Sequence, residues 1–572
     1  MNRDIYLWTC AASVGISLIL STTLVVADQP TKTHSPVQAK TLVSTIDPAT
    51  WNPRSLVVST NIQSVAYIQK ASDTQVQVVR NGKPGALFDT IKHDSLQFSP
   101  DGQRLAYQAT KGKHQVIVVD ELVSAGYRKI LDGSFTFSPN GSRYAYAAQN
   151  KKRQWFAVVD GELSSPYRRI VPYSLQFSPI TNRVAYIANA GAKQVMVMDG
   201  QVSPHYDNIW IGESLFDSTG TRTAYVTQTG KTWAVIVDGD EGPHVDFITV
   251  TSLIFSKDGQ HTAYIAQSGD KWVAVYDNTF GPPHAKIRGQ SLAFNPKGTH
   301  LAYSAKDGNT WTSIVDNKKV GISYDDIDGI QPTYSPDGTQ IAFGVRIGPQ
   351  WGVVVDGALG IPHTDIGHDS FRFSSNSQHF AYIANLEGMW FVVQDGQPSQ
   401  IIYGRTAQKD LAFSRVGIQG PVFSPNGKRL AYSVTQGVDK SGVVLDGQLG
   451  RPHWSLIEES LLFSPDSSKL SYVAESADRK WRVFIERNVS GQAYDGIGAH
   501  GVTFSADSAH ELFYGLRDRK WMVVIDGRES EQFDSLLSGK NGPLHLNTSN
   551  ELRYIGRQHN EIYLVETKVG AV

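Results

Sequence analysis

Histidines at one recurring position of this sequence could bind a metal, since five imidazoles spaced around a ring could converge on one ion. Tyrosines take the same position in other units, which is typical of a half-buried ring with a polar tip. The position also falls on the outermost strand of the predicted repeat, too far from its neighbours to share an ion through bonds of about 2 Å. We therefore predict a structural role, with no metal site and no cofactor. The histidines are His205, His244, His284, His363 and His453, and the tyrosines are Tyr127, Tyr167, Tyr324 and Tyr494.

Aspartates followed by glycine could supply the paired carboxylates of a glycosidase. Catalysis needs two particular carboxylates, whereas here one acid recurs in almost every unit, which favours a role in tight turns. A tryptophan often stands five residues earlier, as Trp155 does before Asp160, and we predict core between neighbouring sheets rather than a platform for sugars. The aspartates followed by glycine are Asp160, Asp199, Asp238, Asp356, Asp395, Asp446 and Asp526, and Asp120, which Glu121 follows, is placed in the same set because it holds the equivalent position.

Motifs for other reactions are missing from the sequence. There is no G-x-S-x-G elbow of a serine hydrolase and no H-E-x-x-H zinc motif. Cys10 is the one cysteine, so a chain that loses its first 27 residues has no thiol nucleophile and no disulfide. The formal net charge is −1, which creates no overall field that attracts nucleic acid. We predict a protein that is not an enzyme and has no nucleic-acid partner.

A repeat of about forty residues carries these side chains. The segment from Phe98 reads F-S-P-D-G-Q-R-L-A-Y, and its relatives recur every 39 to 41 residues, apart from one step of 50 after Phe373. Pro-Asp-Gly or Pro-Asn-Gly closes a hairpin, because proline presets φ and Asn or Gly accepts left-handed geometry. The units are anchored at Val58, Phe98, Phe137, Phe177, Phe216, Phe255, Phe294, Tyr334, Phe373, Phe423, Phe463, Phe504 and His545.

Four short strands per unit, without helical periodicity, are typical of a β-propeller blade. The third strand is apolar at consecutive positions, as expected for a sheet that is covered on both faces. We predict an all-β fold of about thirteen tandem four-stranded blades. Because propellers usually hold roughly four to eight blades, we expect two rings: about seven blades over residues 51–330 and about six over residues 331–572. The last unit lacks a clear fourth strand, which residues 41–45 could supply.

The sequence F-S-P-D-G-Q-R-L-A-Y, followed by a segment such as Trp155-Phe-Ala-Val-Val-Asp160-Gly161, resembles the WD-like repeats of the TolB family of bacterial periplasmic propellers. The resemblance covers nearly everything after residue 51, and no segment resembles the separate N-terminal α/β domain of TolB itself. It implies a propeller fold. It does not fix a function, because that repeat serves scaffolds, lyases and peptidase gates alike.

The N-terminus is typical of an export signal. Arg3 precedes an uncharged run from Ile5 to Ala27, and Val25 and Ala27 stand at the small-residue positions of a cleavage site. We predict that residues 1–27 are a signal peptide, with an uncleaved anchor over residues 5–27 as the alternative. Residues 28–50, rich in Thr, Pro, Ser and Gln, are predicted as a flexible spacer. Either way the body is expected in the periplasm or outside the cell, and at a membrane only if the segment stays uncleaved.

The hairpin loops between the second and third strands are basic in many units, whereas the Asp-Gly turns at the opposite end are acidic. The two sets should emerge on opposite faces of a ring, and a basic face could dock an acidic partner or polymer. The alternative is loop charge that keeps the protein soluble. The residues chosen for this basic face are Lys151, Lys152, Arg153, Arg517, Arg519 and Lys520.

A second candidate surface lies where each unit begins its innermost strand. Serine recurs three residues before the anchor, as at Ser95, which we attribute to crowding near the axis. The residue before it varies from unit to unit, and variation on a fixed scaffold is where a ligand site would be built. The predicted binding residues at this channel mouth are Asp94, Tyr173, Glu213, Asp369, Glu459 and His500.

The regular blades and the missing catalytic motifs favour a non-enzymatic scaffold of the bacterial envelope. It would bind a protein or polysaccharide partner through one propeller face or the channel mouth. The alternative is an enzyme resembling propeller-fold polysaccharide lyases, with an axial metal held by residues such as His500 and Glu459. The two differ in whether the purified protein carries a tightly bound metal.

Overall fold

The computed structural model describes residues 38–329, 331–399, 413–416, 420–436, 440–498, 501–539 and 542–570. The predicted signal or anchor segment, residues 1–27, and the binding candidate His500 lie outside these residues. Within them the chain is almost entirely β-strand, with a few short 3-10 turns. None of the helical segments in the described ranges is long and apolar enough to cross a membrane.

The described residues form thirteen antiparallel sheets arranged in a ring, so the predicted propeller of thirteen blades is confirmed. In each blade two long strands form a hairpin. Two short inner strands pair with the free edge of hairpin strand 1, and an outer strand pairs with hairpin strand 2. Blade 2 shows the plan: Thr90–Ile91 and Gln97–Phe98 both pair with Leu105–Lys111, and Leu122–Val123 pairs with His114–Val119.

The hairpins number the blades from 1 to 13. Hairpin strand 1 spans Val65–Lys70, Leu105–Lys111, Tyr144–Gln149, Val184–Ala190, Ala224–Thr229, Thr262–Ser268, Leu301–Asp307, Ile341–Ile347, Phe380–Leu386, Leu430–Gln436, Leu470–Glu475, Glu511–Arg517 and Glu551–Gln558. Hairpin strand 2 spans Val76–Arg80, His114–Val119, Trp155–Val159, Lys193–Met198, Thr232–Val237, Lys271–Tyr276, Thr310–Val315, Gln350–Val355, Met389–Gln394, Lys440–Leu445, Trp481–Ile485, Lys520–Ile525 and Glu561–Lys568.

The short strands lie on either side of the hairpins. Inner strand 1 of blades 2 to 13 spans Thr90–Ile91, Lys129–Ile130, Arg169–Ile170, Asn208–Trp210, Phe247–Ile248, Lys286–Ile287, Asp326–Ile327, Asp365–Ile366, Phe413–Val416, Ser455–Leu456, Gly496–Ile497 and Ser535–Leu537. Inner strand 2, described in every blade except blade 5, spans Val57–Val58, Gln97–Phe98, Thr136–Phe137, Gln176–Phe177, Ile254–Phe255, Ala293–Phe294, Thr333–Tyr334, Arg372–Phe373, Val422–Phe423, Leu462–Phe463, Thr503–Phe504 and Leu544–Leu546.

The outer strands are mostly two residues long, with seven-residue strands in blades 7 and 11. They span Lys83–Pro84, Leu122–Val123, Glu162–Leu163, Gln201–Val202, Asp240–Glu241, Thr279–Phe280, Lys318–Tyr324, Ala358–Leu359, Gln397–Pro398, Gln448–Leu449, Asn488–Tyr494 and Arg528–Glu529. The chain then passes within a few residues to inner strand 1 of the next blade. The 3-10 turns are Pro53–Ser55, His93–Ser95, Val250–Ser252 and Glu458–Ser460.

The first strand of the chain closes the ring. Gln38–Thr45 pairs antiparallel with Glu561–Lys568 and supplies the outer strand of blade 13. This confirms the prediction that residues 41–45 complete the last unit, and it makes this part of the predicted flexible spacer a strand. Lys40 fastens the pairing, with Nζ 2.8 Å from Glu531 and 4.0 Å from the centre of the Tyr563 ring.

The packing between blades continues across residue 330. Tyr324 and Ile327 share one buried cluster with Phe343 of blade 8, just as Tyr67 of blade 1 shares one with Ile555 of blade 13. The thirteen blades therefore form one ring, and the expected boundary at residue 330 between rings of seven and six blades does not match this packing. The number of blades in a ring depends on the angle between neighbouring sheets, which the repeat pattern does not encode.

Candidate functional site

The turns between the two inner strands of each blade form a rim around the inside of the ring. In blade 2 the Ser95 hydroxyl donates to the Lys92 carbonyl (2.6 Å) and accepts from the Gln108 amide (2.9 Å). The serine thus occupies a gap in the strand ladder, where the backbone bulges away from hairpin strand 1. This hydrogen bonding, and not crowding at the axis, explains the recurrent serine. The same pair of bonds is made by Ser55, Ser134, Ser174, Ser252, Ser291, Ser370 and Ser460.

Rim turns of neighbouring blades contact each other. Asn52 Nδ2 lies 2.9 Å from His93 Nδ1, and Lys92 Nζ lies 2.5 Å from Asp132 Oδ1. The Tyr173 ring packs against Gly133, where a β-carbon would be only 3.4 Å from Cε1. The rim turns of blades 1 to 4 are therefore joined into one line, by polar contacts from blade 1 to blade 3 and by the Tyr173 ring between blades 3 and 4, and a bound chain could follow this line.

The five predicted binding residues that are described all lie on this rim and are exposed: Asp94, Tyr173, Glu213, Asp369 and Glu459. No hydrogen bond or ion pair joins any two of these five. The predicted residues thus share a surface without forming a compact constellation of the kind that catalysis requires.

Tyr173 stands out among the rim residues. Its side chain is 86% exposed, and its backbone is left-handed with φ of +62°, as is Gly133 with φ of +68°. A bulky residue in that conformation costs roughly 1–2 kcal/mol. An exposed aromatic ring held at such a cost is a candidate contact for a partner.

A histidine that the sequence reasoning missed joins the rims of blades 8 and 9. His368 Nδ1 lies 2.6 Å from Asp328 Oδ2, and the Asp328 side chain is 9% exposed. Gly344 makes room for this carboxylate, because a β-carbon there would lie 3.3 Å from Oδ2. The hydrogen bond that His368 donates to the Asp328 carboxylate raises the pKa of His368 against the effect of burial, with further contributions from Asp365 and Asp369. The sequence signal that could have indicated this contact is Gly344, a glycine inside a mostly apolar strand.

The predicted basic face carries acidic groups as well. Lys151, Lys152, Arg153 and Arg519 are exposed. Arg517 instead donates two hydrogen bonds to Glu529 and Lys520 pairs with Asp534, so two of the six chosen cations are neutralised. Aspartates of the segments that cross between blades accept from backbone amides of the hairpin loops on this face. These aspartates are Asp89, Asp207, Asp246, Asp325, Asp495 and Asp534. The face is therefore less strongly basic than the loop sequences indicate.

The recurrent histidines divide into two groups. His284, His363 and His453 are buried, at the position that Tyr127 and Tyr206 hold in other blades. His205 and His244 lie one residue earlier and are exposed, so placing them in the same set was wrong. Burial lowers the pKa of His363 and His453. Across the residues that the structure describes, no three His, Cys, Asp or Glu side chains are grouped as metal ligands.

The predicted turn role of the Asp-Gly aspartates matches their hydrogen bonds. Asp120, which is followed by Glu121 and not by glycine, takes the same turn position with a left-handed φ of +49°. Its Oδ1 accepts from the Leu105 amide (3.0 Å) and its Oδ2 from Arg104 Nε (2.7 Å). Arg104 Nη1 then donates to the Ser142 carbonyl of blade 3 (2.8 Å), and the guanidinium lies over Phe137. We call this contact between blades the arginine staple; it recurs at Arg143, Arg183, Arg222 and Arg429.

The inner wall of blades 1 to 3 carries a groove of about 730 Å³ that begins at the rim. Its lining includes Val57, Leu96, Phe98, Thr136 and Pro139, and no lining residue is ionisable. The inner strands there pair on one side only, with hairpin strand 1. A neutral groove thus adjoins the polar rim.

The fold and the repeat together define a β-propeller of tandem four-stranded blades. No family model matches the sequence, and no curated protein matches it either. Solved structures that match include a eukaryotic initiation factor (15% identity, 56% of this chain and 90% of that chain, TM-score 0.29). Others are the Dos1 propeller (11%, 52% and 90%, 0.22) and the propeller domain of the Trilobed protease from Pyrococcus furiosus (12%, 46% and 96%, 0.21). None of them assigns a function to this chain.

Proposed function

We propose that this protein is an exported, non-enzymatic propeller of the bacterial envelope that binds a protein or polysaccharide partner through its rim. A propeller supports a binding or scaffold role in general, and the rim supplies the particular surface. The observation that carries the proposal is Tyr173, an exposed aromatic side chain kept in a strained backbone conformation on the line of rim turns of blades 1 to 4. The resemblance of the repeat to TolB-like periplasmic propellers, together with the signal-like residues 1–27, supports the location.

The rim also differs from the hairpin-loop face in a way that favours it for binding. Two of the six chosen loop cations, Arg517 and Lys520, are paired within the chain, whereas Asp94 and Tyr173 are exposed on the rim at which the neutral groove begins. A partner at the rim could place neutral groups against Phe98 and Thr136 and polar groups against Asp94 and His93. Polar groups around an apolar centre are the usual composition of a specific interface.

Affinity capture from bacterial envelope fractions tests the proposal, with purified residues 28–572 as bait. We expect one partner to be recovered by the unchanged chain and lost with the double variant Asp94→Ala/Tyr173→Gly. The matched control is Leu122→Ser, at a side chain 78% exposed on an outer strand, which should retain the partner. Charge reversal of Lys151 and Lys152 should also retain it.

Two results would contradict the proposal. Capture that survives the rim variant but disappears on charge reversal would move the site to the hairpin-loop face. A stoichiometric transition metal that His500→Ala removes, with turnover of an acidic polysaccharide, would show an enzyme.

A further inference from the structure

A pocket lies between blades 7 and 8, at a junction where histidine takes the place of the arginine of the staple. In blades 2 to 5 the staple binds its own aspartate and a carbonyl of the next blade, and in blades 2 to 4 the guanidinium also covers the face of the next anchor residue. Four blades carry histidine at the same position, and each Nδ1 reaches only its own aspartate. These residues are His261, His300, His379 and His510. An imidazole is shorter than an arginine side chain, so space opens beyond it.

Other groups fill that space at three of the four junctions. The Tyr276 ring lies 5.1 Å from that of His261 and 6.1 Å from that of Phe294. His379 stacks on Phe423 at 6.4 Å. Gly570 packs so closely on His510 that a β-carbon there would be 2.5 Å from Nε2.

The junction at His300 stays open. A pocket of about 670 Å³ lies there, within the range of about 300–1,000 Å³ that small-molecule sites occupy. Val315, Val320 and Ile341 give it apolar walls, and Tyr334, the anchor residue of blade 8, takes the place that Phe137 has under a staple. The Tyr334 hydroxyl oxygen is buried and has no partner among the described residues. Burial of this group raises the pKa of Tyr334, so the phenol keeps its proton and can donate it to a hydrogen bond.

Three lysines, Lys297, Lys318 and Lys319, line the same pocket. In the described part of the chain none of their ammonium groups has a hydrogen-bond or ion-pair partner. The corresponding positions in blade 2 hold Asp101, Leu122 and Val123. Blade 7 has thus lost the internal guanidinium and gained three cations at one junction, of which Lys319 also helps to lower the pKa of Asp307.

The two carboxylates of the pocket are already engaged. Asp316 accepts from the Leu301 amide (3.1 Å) and pairs with His300 (2.5 Å). Asp356 accepts from the Ile341 amide (2.9 Å) and from Gln340 Nε2 (3.2 Å). The groups left for a ligand are therefore the ammonium groups and the phenol hydroxyl, which donate, and Nε2 of His300.

We propose that the pocket between blades 7 and 8 binds an oxyanion, a carboxylate or a phosphate, carried on a small ring-shaped or apolar body. Lys297, Lys318 and Lys319 attract the anionic group, and the Tyr334 hydroxyl donates a hydrogen bond to it. The body of the ligand packs on the Tyr334 ring and on Val320. This site is distinct from the rim and does not depend on the function proposed for it.

Isothermal titration of purified residues 28–572 with glucuronate, glucose 6-phosphate and glucose tests the proposal. We expect saturable binding of at least one of the two anions, at one site per chain, with glucose at least tenfold weaker. The stronger anion identifies the carboxylate or phosphate source. Lys318→Ala/Lys319→Ala should weaken binding at least tenfold, and Lys151→Ala/Lys152→Ala, which removes two loop lysines elsewhere, should leave it unchanged.

His300→Arg provides a second variant that does not depend on removing charge. The new side chain can form a staple with Asp316 and the Thr339 carbonyl, so it should fill the pocket, abolish anion binding and leave the melting temperature equal or higher. Binding that survives His300→Arg, equal losses in the two lysine pairs, or no binding of either anion would overturn the proposal. Stronger binding of arginine methyl ester than of both anions would overturn it in favour of a guanidinium ligand.

Discussion

Two arcs of the ring join their blades differently at the turns that carry the recurrent aspartate. In the stapled arc, blades 2 to 5, a guanidinium links its own turn aspartate to a carbonyl of the next blade. In the histidine arc, blades 6 to 9, the same position holds shorter side chains that reach only the turn aspartate of their own blade. The stapled arc carries Arg104, Arg143, Arg183 and Arg222, and the histidine arc carries His261, His300, Gln340 and His379.

The difference shows how the side chains at one junction of a repeat protein can change while the backbone of the repeat is kept. Every blade of the two arcs keeps the turn aspartate and an aromatic anchor residue, so the strands stay in register. A change of one side chain turns a junction that the chain bonds by itself into one that is open to another molecule. The histidine arc also contains the His368–Asp328 contact, so its departures from the repeat are concentrated in adjacent blades.

Removal of a core tyrosine should cost the same in both arcs. Tyr225 is 2% exposed and Tyr303 is 1% exposed, at equivalent positions of blades 5 and 7. Either Tyr→Ala change should lower the free energy of unfolding by about 3–5 kcal/mol, because it leaves a large cavity between sheets. Denaturant unfolding of the two variants measures the losses. A clearly smaller loss at Tyr303 would mean that the arcs differ in core packing and not only at the staples.

Removal of the side chain that binds the turn aspartate should separate the two arcs. Arg143→Ala leaves the Asn182 carbonyl without its 2.9 Å partner and uncovers Phe177. We expect a loss of about 1–2 kcal/mol, reduced by partial exposure of the pair. His300→Ala should cost less than about 1 kcal/mol, since its one partner is an exposed carboxylate. Native-state hydrogen exchange measures the free energy of local opening at the two junctions. Equal decreases in this free energy for Arg143→Ala and His300→Ala would show that the two arcs do not differ in this way.

The contribution of the His368–Asp328 contact, at the junction of blades 8 and 9, to the free energy of unfolding should depend on pH. The contribution of an arginine staple should not. The folded pKa of His368 is raised above its ordinary value of 6.5, mainly by the hydrogen bond with Asp328. Its contribution to stability is therefore fully present below pH 6.5 and is lost as the pH rises through the folded pKa. The difference in unfolding free energy between wild type and His368→Gln should be largest near pH 6 and should shrink above neutrality.

Nuclear magnetic resonance titration of the His368 ring measures the same quantity directly. Arg143→Ala provides the matched control, because a guanidinium stays charged over this range. Its effect on stability should be constant between pH 6 and about 8. A midpoint for His368 at or below 6.5 would contradict the assigned role of Asp328.

The structural features that could be predicted from the sequence are those that depend on local sequence and recur from blade to blade. The period located the hairpins, the Asp-Gly pairs located the turns, and the exchange of histidine with tyrosine at His284, His363 and His453 indicated a buried ring. Contacts between neighbouring blades were not predictable in this way. The Lys92–Asp132 and His368–Asp328 pairs join residues forty positions apart, and nothing in either segment alone specifies its partner. The size of the ring was missed for the same reason, because it depends on small angles between sheets.

Substitutions on the rim should change the free energy of unfolding least, and they test the proposed function most directly. Tyr173 and Gly133 occupy equivalent left-handed positions in blades 4 and 3. Tyr173→Gly should relieve strain and raise the free energy of unfolding by up to about 1 kcal/mol, whereas Gly133→Ala should lower it by a similar amount. Thermal unfolding of both variants, measured beside partner capture, separates the two roles. A Tyr173→Gly protein that is at least as stable as wild type but has lost its partner shows a residue kept for binding. One that is less stable shows instead that the Tyr173 ring supports the rim through its contact with Gly133.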